Sequence, residues 1–251
     1  MSLKNTFVSI VGAGNLGQAM ANGLLKKGFK SFNMSRRNVD LLMPFSRKGI
    51  PVFANNSDAI HNSNIVVVCV EPNETLHVIK KMDLSRNPIL ISCAPGISID
   101  ILRKHYPNSA RAIPNTSILV NKGVTTINRD APVQVEELFG MLGSVYRLND
   151  DLLDAGTVLG ACGVAFTMKY MRALTQAGIT IGIDKDTSLA ISRDLLEGSA
   201  AVVKGSHPEI EIDRVTTPKG CTIQGLHKME SQGFSSAVIE GVKSAHSKFL
   251  R

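Results

Sequence analysis

The chain contains no tryptophan, and aromatic residues make up 5% of its 251 residues. Stacking platforms for single-stranded nucleic acid need aromatic faces, so a nucleic-acid partner is poorly supplied and none is expected. Only four cysteines occur (Cys69, Cys93, Cys162 and Cys221), and no two of them form a CxxC spacing. That spacing argues against a disulfide framework and against structural zinc, and fits a reduced, cytoplasmic protein. The six histidines make no metal spacing with one another or with cysteine, so no metal site is expected. The uncharged apolar run Ala155–Met168 is 14 residues long. A spanning helix needs roughly 18, so no membrane segment is expected. Met1–Lys4 leads into a strand-like run, with neither an apolar signal core nor an Arg-rich transit stretch.

What is present is unevenly distributed. The net charge is +7, and 43% of residues are hydrophobic, which excludes disorder. Residues 1–150 hold 17 Lys/Arg against 10 Asp/Glu, whereas residues 151–251 hold 11 of each. The whole excess therefore lies in the first part and calls for an anionic partner there.

Short apolar runs alternate with amphipathic stretches over the first 150 residues. Strands are predicted at Thr6–Val11, Ser31–Ser35, Pro51–Phe53, Ile65–Val70, Ile89–Ser92 and Ala110–Ile113. Helices are predicted between them, near 15–27, 57–62, 73–81, 98–105 and 133–142. Such alternation predicts an α/β doubly wound, Rossmann-like domain. Beyond Asp150 the strand signal fades, and helices are predicted over 151–182, 184–204, 218–231 and 233–249. The expected organisation is a dinucleotide-binding domain over 1–150 and an all-α domain over 151–251.

Gly12, Gly14 and Gly17 follow the first strand and open a helix, with Asn15 and Leu16 between them. Gly12 permits the tight turn, Gly14 lets the backbone approach a pyrophosphate, and Gly17 lets helix and strand pack closely. The helix N-terminus then offers N–H groups and positive dipole to the phosphates. The second strand ends Ser35-Arg36-Arg37 and carries no acid to hold both ribose hydroxyls. A hydroxyl and two guanidinium groups there would grip a 2′-phosphate, which favours NADP and leaves NAD as the second choice. Asn56 is placed either at the adenosine or as the N-cap of a helix from Ser57.

In Val215-Thr-Thr-Pro-Lys-Gly-Cys-Thr-Ile223, Thr217 reads as an N-cap and Pro218 as the first helical residue. The N–H groups of Lys219 to Thr222 would converge on one spot, sized for a small carboxylate, or simply begin a capped helix.

The GAGNLGQAMANG start, the segment Arg111–Thr116 and the stretch from Val215 to Val242 together resemble the pyrroline-5-carboxylate reductase family. The resemblance runs from about residue 7 to residue 248. It implies reduction of the C=N bond of 1-pyrroline-5-carboxylate to proline with NADPH or NADH. It also implies a Rossmann domain and a helical domain that builds a homodimer, with larger oligomers left open. By the same resemblance, Gly12, Gly14, Asn15, Leu16 and Gly17 form the phosphate loop, and Ser35, Arg36, Arg37 and Asn56 hold the adenosine phosphate. Val70 and Pro72 line the cofactor, and Pro114, Asn115 and Thr116 lie beside the nicotinamide. Thr217, Lys219, Gly220, Cys221 and Thr222 bind the substrate, with the Thr222 hydroxyl near the imine nitrogen as the catalytic group.

Four places depart from the family pattern. Glu71-Pro72 stands for Lys-Pro, Ser117 for the second proline of Pro-Asn-Thr-Pro, Gly160–Phe166 for Ser-Gly-Ser-Gly-Pro-Ala-Tyr, and Pro218-Lys219-Gly220 for Pro-Gly-Gly. Two alternatives follow. One is a β-hydroxyacid dehydrogenase using Lys169 after the glycines 160 and 163, although Arg172 and Ala173 stand where that family has Asn. The other is a non-catalytic NADP-binding relative with a partner-binding role, motivated by Glu71, Ser117 and Lys219.

Overall fold

The computed structural model describes Leu3 and residues 6–249. Apart from Leu3, the segment Met1–Lys4 lies outside the described residues. The continuous apolar run Ile65–Val68 forms a strand, β4, with every residue buried. Its side chains serve both faces. Ile65 and Val67 join one apolar layer, while Val66 and Val68 join the other. A strand with no solvated face has no reason to alternate polar residues, so its sequence reads as unbroken.

Five further strands run parallel to it: Val8–Val11 (β1), Phe32–Ser35 (β2), Val52–Phe53 (β3), Ile89–Ser92 (β5) and Ser109–Pro114 (β6). The sheet order is β3-β2-β1-β4-β5-β6 and continues into two strands that sequence reading missed. These are Gly123–Asn128 (β7), antiparallel to β6, and Gly143–Leu148 (β8), parallel to β7. β8 alternates exposed and half-buried residues, so it carries no continuous apolar signal. The order reverses between β1 and β4, which puts a crevice at the carboxyl ends of those strands.

Helix Asn15–Lys26 (α1) buries Met20, Ala21 and Leu24 on one face of the sheet, next to Leu138 and Phe139 of helix Val133–Gly140 (α6). Helices Pro72–Lys80 (α4) and Ile99–His105 (α5) bury Ile79, Ile99 and Leu102 on the other. Each such side chain taken from water stabilises the fold by about 1.5–3 kcal/mol. Short helices Met43–Ser46 (α2) and Asn56–Ile60 (α3) flank β3.

After β8 the chain turns helical. Asp150–Thr157 (α7) passes through a π turn, Val158–Cys162, into Gly163–Thr180 (α8). The N-terminal compact unit runs to Ala161, and the second spans Cys162–Ser247. The composition boundary at 150 thus falls at the start of α7, which is fastened to β6 by ion pairs from Arg111.

The second unit contains α8, Lys185–Val202 (α9), Pro208–Arg214 (α10), Cys221–Ser231 (α11) and the start of Phe234–Phe249 (α12). α8 and α9 form a helical hairpin. Asp184 caps α9 by accepting from the N–H groups of Asp186 and Thr187 at 3.1 and 3.0 Å. α8 itself has no buried residue, and Met168, Ile191, Val202 and Ile239 are all more than half exposed. Because the π turn joins α7 to α8 without a break, Asp150–Thr180 is one helix of 31 residues. By length and composition alone it is long and apolar enough to cross a membrane, as the core helix of a soluble protein can also be. The uninterrupted apolar run is short, but the helix extends it past isolated charges at Lys169 and Arg172.

Candidate functional site

A cleft of about 850 Å³ opens at the carboxyl ends of β1 and β4, lined by Gly12, Gly14, Arg36, Asn56, Val70 and Glu71 among others. Its floor is the turn after β1. The N–H groups of Gly12 and Ala13 both donate to the Ser35 carbonyl, at 3.0 and 2.9 Å. Gly12 has φ +74, and a Cβ there would collide with the Val70 side chain, so only glycine fits. A Cβ on Gly14 would meet nothing closer than the Gly12 carbonyl at 3.9 Å, so this backbone faces open space. A Cβ on Gly17 would lie 3.1 Å from Ile10 and 3.3 Å from Ala13, so helix and strand pack as closely as expected.

The N-terminus of α1 has no side-chain cap and no acidic residue in its first turn. The N–H groups of Asn15, Leu16 and Gly17 have no intrahelical acceptor by position. Open amides, positive dipole and a glycine floor together fit a dinucleotide pyrophosphate.

Ser35 is fully buried, and its hydroxyl donates to Asn56 Oδ1 at 2.9 Å. It therefore orients Asn56 rather than offering a free hydroxyl to the cleft. Asn56 is the first helical residue of α3, and Asn55 is the N-cap, accepting from Ser57 N–H at 2.9 Å. The alternative reading of Asn56 as the cap is thereby corrected. Half-buried Arg36 reaches back to the Ala13 carbonyl at 3.4 Å, while Arg37 is exposed at the rim. Glu71, the N-cap of α4, lines the same cleft, and Pro72 follows as the first helical residue, exposed.

Pro114 ends β6 and is buried, and Thr116 is exposed. Between them Asn115 is buried and fully engaged. Its Oδ1 accepts from Ser117 N–H (3.1 Å) and Val124 N–H (3.2 Å), and its Nδ2 donates to the Gly160 carbonyl (2.8 Å). Sequence reading missed Arg111. This guanidinium is 1% exposed and bonds Asp150 (2.8 Å) and Asp154 (2.9 Å). The two acids lie one turn apart at the start of α7, but no sequence pattern ties them to an arginine 39 and 43 positions earlier.

In the second unit the loop before α11 differs from expectation. Gly220, not Thr217, is the N-cap, and the helix begins at Cys221. Thr217–Gly220 forms a β-turn closed by Gly220 N–H to the Thr217 carbonyl at 2.9 Å. Lys219 occupies its third position with φ +60, a left-handed conformation that a glycine adopts without strain. A Cβ on Gly220 would lie 2.5 Å from Thr217 Oγ1, so that position has no room for one. The first-turn N–H groups are those of Cys221, Thr222 and Ile223. Thr217, Lys219, Cys221 and Thr222 are all exposed. Lys169 is an exposed residue of α8. Among the described residues, no three His, Cys, Asp or Glu side chains cluster to hold a metal.

Two family models match parts of the chain. Residues 150–250 match the family model described as pyrroline-5-carboxylate reductase dimerisation. Residues 7–96 match the one described as NADP oxidoreductase coenzyme F420-dependent. The structure of a Coxiella burnetii pyrroline-5-carboxylate reductase matches with a TM-score of 0.88 at 22% identity, over 98% of each chain. A Plasmodium falciparum pyrroline carboxylate reductase, with NADP bound, matches at 0.85 and 22% identity, over 98% of this chain and 97% of that one. Those likenesses establish the fold. Pyrroline-5-carboxylate reductase 1 of Dictyostelium discoideum is 35% identical over 99% of this chain, which spans half the length of that relative. The reductase of Aquifex aeolicus is 31% identical, over 96% of this chain and 95% of its own length. With an identity of that order across both domains, the chain belongs to the pyrroline-5-carboxylate reductase family.

Proposed function

We propose that this protein reduces the ring C=N bond of 1-pyrroline-5-carboxylate to L-proline, with NADPH as the preferred reductant and NADH as the weaker one. The observation that carries the cofactor half is the cleft. An uncapped helix N-terminus stands over a glycine floor, with Arg36 and Arg37 where an NAD site would have an acid. When bound, the reduced nicotinamide supplies the hydride that the ring carbon accepts. Everything else falls to the protein.

Gly12, Gly14, Asn15, Leu16 and Gly17 hold the pyrophosphate. Arg36 and Arg37 hold the 2′-phosphate, and Ser35 acts through Asn56 at the adenosine ribose. Val70 and Pro72 form the wall along the dinucleotide. Pro114, Asn115 and Thr116 form the element on which the nicotinamide rests. The substrate carboxylate is assigned to the start of α11, where Thr217, Lys219, Gly220 and Cys221 frame the open N–H groups and Lys219 adds a full charge.

Thr222 is the catalytic group, donating a hydrogen bond at the ring nitrogen. A cyclic imine can take its proton from water near neutral pH, so the protein mainly binds and orients the iminium. Positioning of two reactants is worth up to about 7–11 kcal/mol, so no strong acid is required. The protein works as a homodimer, because α8 and its neighbours expose more apolar surface than a lone domain keeps in water, and in the cytoplasm, which the four free thiols suit.

The test is NADPH and NADH oxidation with 1-pyrroline-5-carboxylate, followed by identification of the amino acid formed. Tight NADPH binding without turnover would instead favour the non-catalytic reading. Activity on a hydroxyacid that disappears in Lys169→Ala would favour the lysine mechanism.

A further inference from the structure

Two cysteines stand side by side at the edge of the cleft. β4 and β5 are parallel and in register, Val68 against Ser92. The next residues, Cys69 and Cys93, are therefore also paired, immediately beyond the strand ends. Neighbouring strands lie about 4.8 Å apart, within the separation of about 4.4–6.8 Å that a disulfide bridges between Cα atoms. Both side chains join the same apolar layer, on the α1 face. Cys93 is 5% exposed and out of reach of solvent reagents. Cys69 is half-buried and lines the cleft, so a small molecule entering the cleft meets it first. Hydrogen bonding to Cys69, then burial, push the Cys93 thiol up, so its proton is retained until a reaction at Cys69 draws it off. Cys162 is half-buried and Cys221 exposed, and neither lies on the β4–β5 register that sets Cys69 beside Cys93.

We infer that Cys69 and Cys93 form a reversible dithiol–disulfide site, closed by small soluble disulfides such as oxidised glutathione, and that closure weakens binding in the cleft. The Cys69 sulfur, as thiolate, attacks one sulfur of the reagent. The reagent's S–S bond breaks, one thiolate leaves, and a mixed disulfide remains on Cys69. The Cys93 sulfur then attacks Cys69, displacing the second thiolate, which takes up the Cys93 proton. Two protein thiols are oxidised, and one small disulfide is reduced to two thiols.

The effect reaches the cleft through short contacts. Cys69 Cβ lies 3.7 Å from where a Cβ on Gly17 would stand, and Val70 packs against Gly12. Any displacement of Cys69 is thus passed to the glycine floor.

The experiment treats the full-length native protein with oxidised glutathione, then alkylates it and maps its peptides by mass. A Cys69–Cys93 peptide lacking two hydrogens is expected, with closure slowed by NADPH and reversed by dithiothreitol. Cys93→Ala should instead stop at a stable glutathione adduct on Cys69, and Cys69→Ser should leave Cys93 unmodified. A wild-type adduct resting on Cys69 beside a free Cys93 would overturn the site, as would no reaction at either. Oxidised protein is expected to bind NADPH at least about tenfold more weakly than reduced protein. Unchanged affinity in the closed form would overturn the coupling. That coupling rests on reading the cleft as the dinucleotide site, whereas the peptide map does not, so reduced protein that fails to bind NADPH marks failure of that reading alone.

Discussion

The side-chain amide of Asn115 donates to the carbonyl of Gly160 at 2.8 Å, joining the end of β6 to the π turn between α7 and α8. A π turn disturbs the regular ladder of a helix, and one carbonyl of this one is satisfied from outside. The same side chain accepts from Ser117 and Val124, so a single residue fixes three segments around the element assigned to the nicotinamide.

Replacing Asn115 with Ala strips partners from three backbone groups. A loss of about 1–3 kcal/mol in stability is expected, since buried polar groups left without partners cost that much. Asn115→Asp keeps the acceptor but sets a carboxylate against the Gly160 carbonyl, so it should cost at least as much. Urea denaturation of both variants measures this. A change under about 0.5 kcal/mol in Asn115→Ala would show that the three bonds carry little net stability.

Arg111 should reveal an asymmetry with its partners. The guanidinium is 1% exposed, whereas Asp150 and Asp154 keep side-chain exposures of 25% and 26%. Arg111→Met leaves two acids that can still reach water, and is expected to cost about 1–2 kcal/mol. Changing both Asp150 and Asp154 to Ala strands a buried cation, and is expected to cost about 3–5 kcal/mol. Denaturation curves for the two variants give the comparison, and equal losses would contradict it.

Much of this was legible in sequence. Ile65–Val70 read as a strand buried on both faces, of which β4 keeps Ile65–Val68, and the Gly12–Gly17 spacing placed the turn and the helix. The start of α11 was misread because Thr217-Pro218 has the chemistry of a cap and first helical residue. Only the backbone shows that Lys219 turns left-handed and passes the cap to Gly220. β8 was invisible because a half-solvated strand carries no long apolar run. Arg111 and its acids lie 39 and 43 positions apart, and no local pattern announces a pairing that only the fold creates.

Cofactor choice should turn on Arg36. Removing its charge in Arg36→Ala is expected to weaken NADPH binding by about 10–100-fold while changing NADH binding less than about threefold, because charge-assisted bonds to a phosphate are worth about 1.5–3 kcal/mol. Titration of both nucleotides by intrinsic nicotinamide fluorescence measures the ratio. Equal losses would place Arg36 away from the 2′-phosphate.

Lys219 presents opposed effects. Lys219→Gly relieves a left-handed side-chain-bearing residue and should stabilise the fold by up to about 1 kcal/mol. The same change removes the positive charge assigned to the substrate carboxylate, so KM for 1-pyrroline-5-carboxylate should rise with kcat nearly kept. Thermal denaturation and steady-state kinetics on one preparation read both. An unchanged KM would remove Lys219 from the substrate site.

The most direct test is the steady-state rate of NADPH oxidation with 1-pyrroline-5-carboxylate for the native protein and for Thr222→Ala. Native protein should form proline. The variant should lose about 10–100-fold in kcat, the worth of one hydrogen bond at the reacting nitrogen, with its NADPH Kd unchanged. Native protein that binds NADPH and forms no proline would contradict the account.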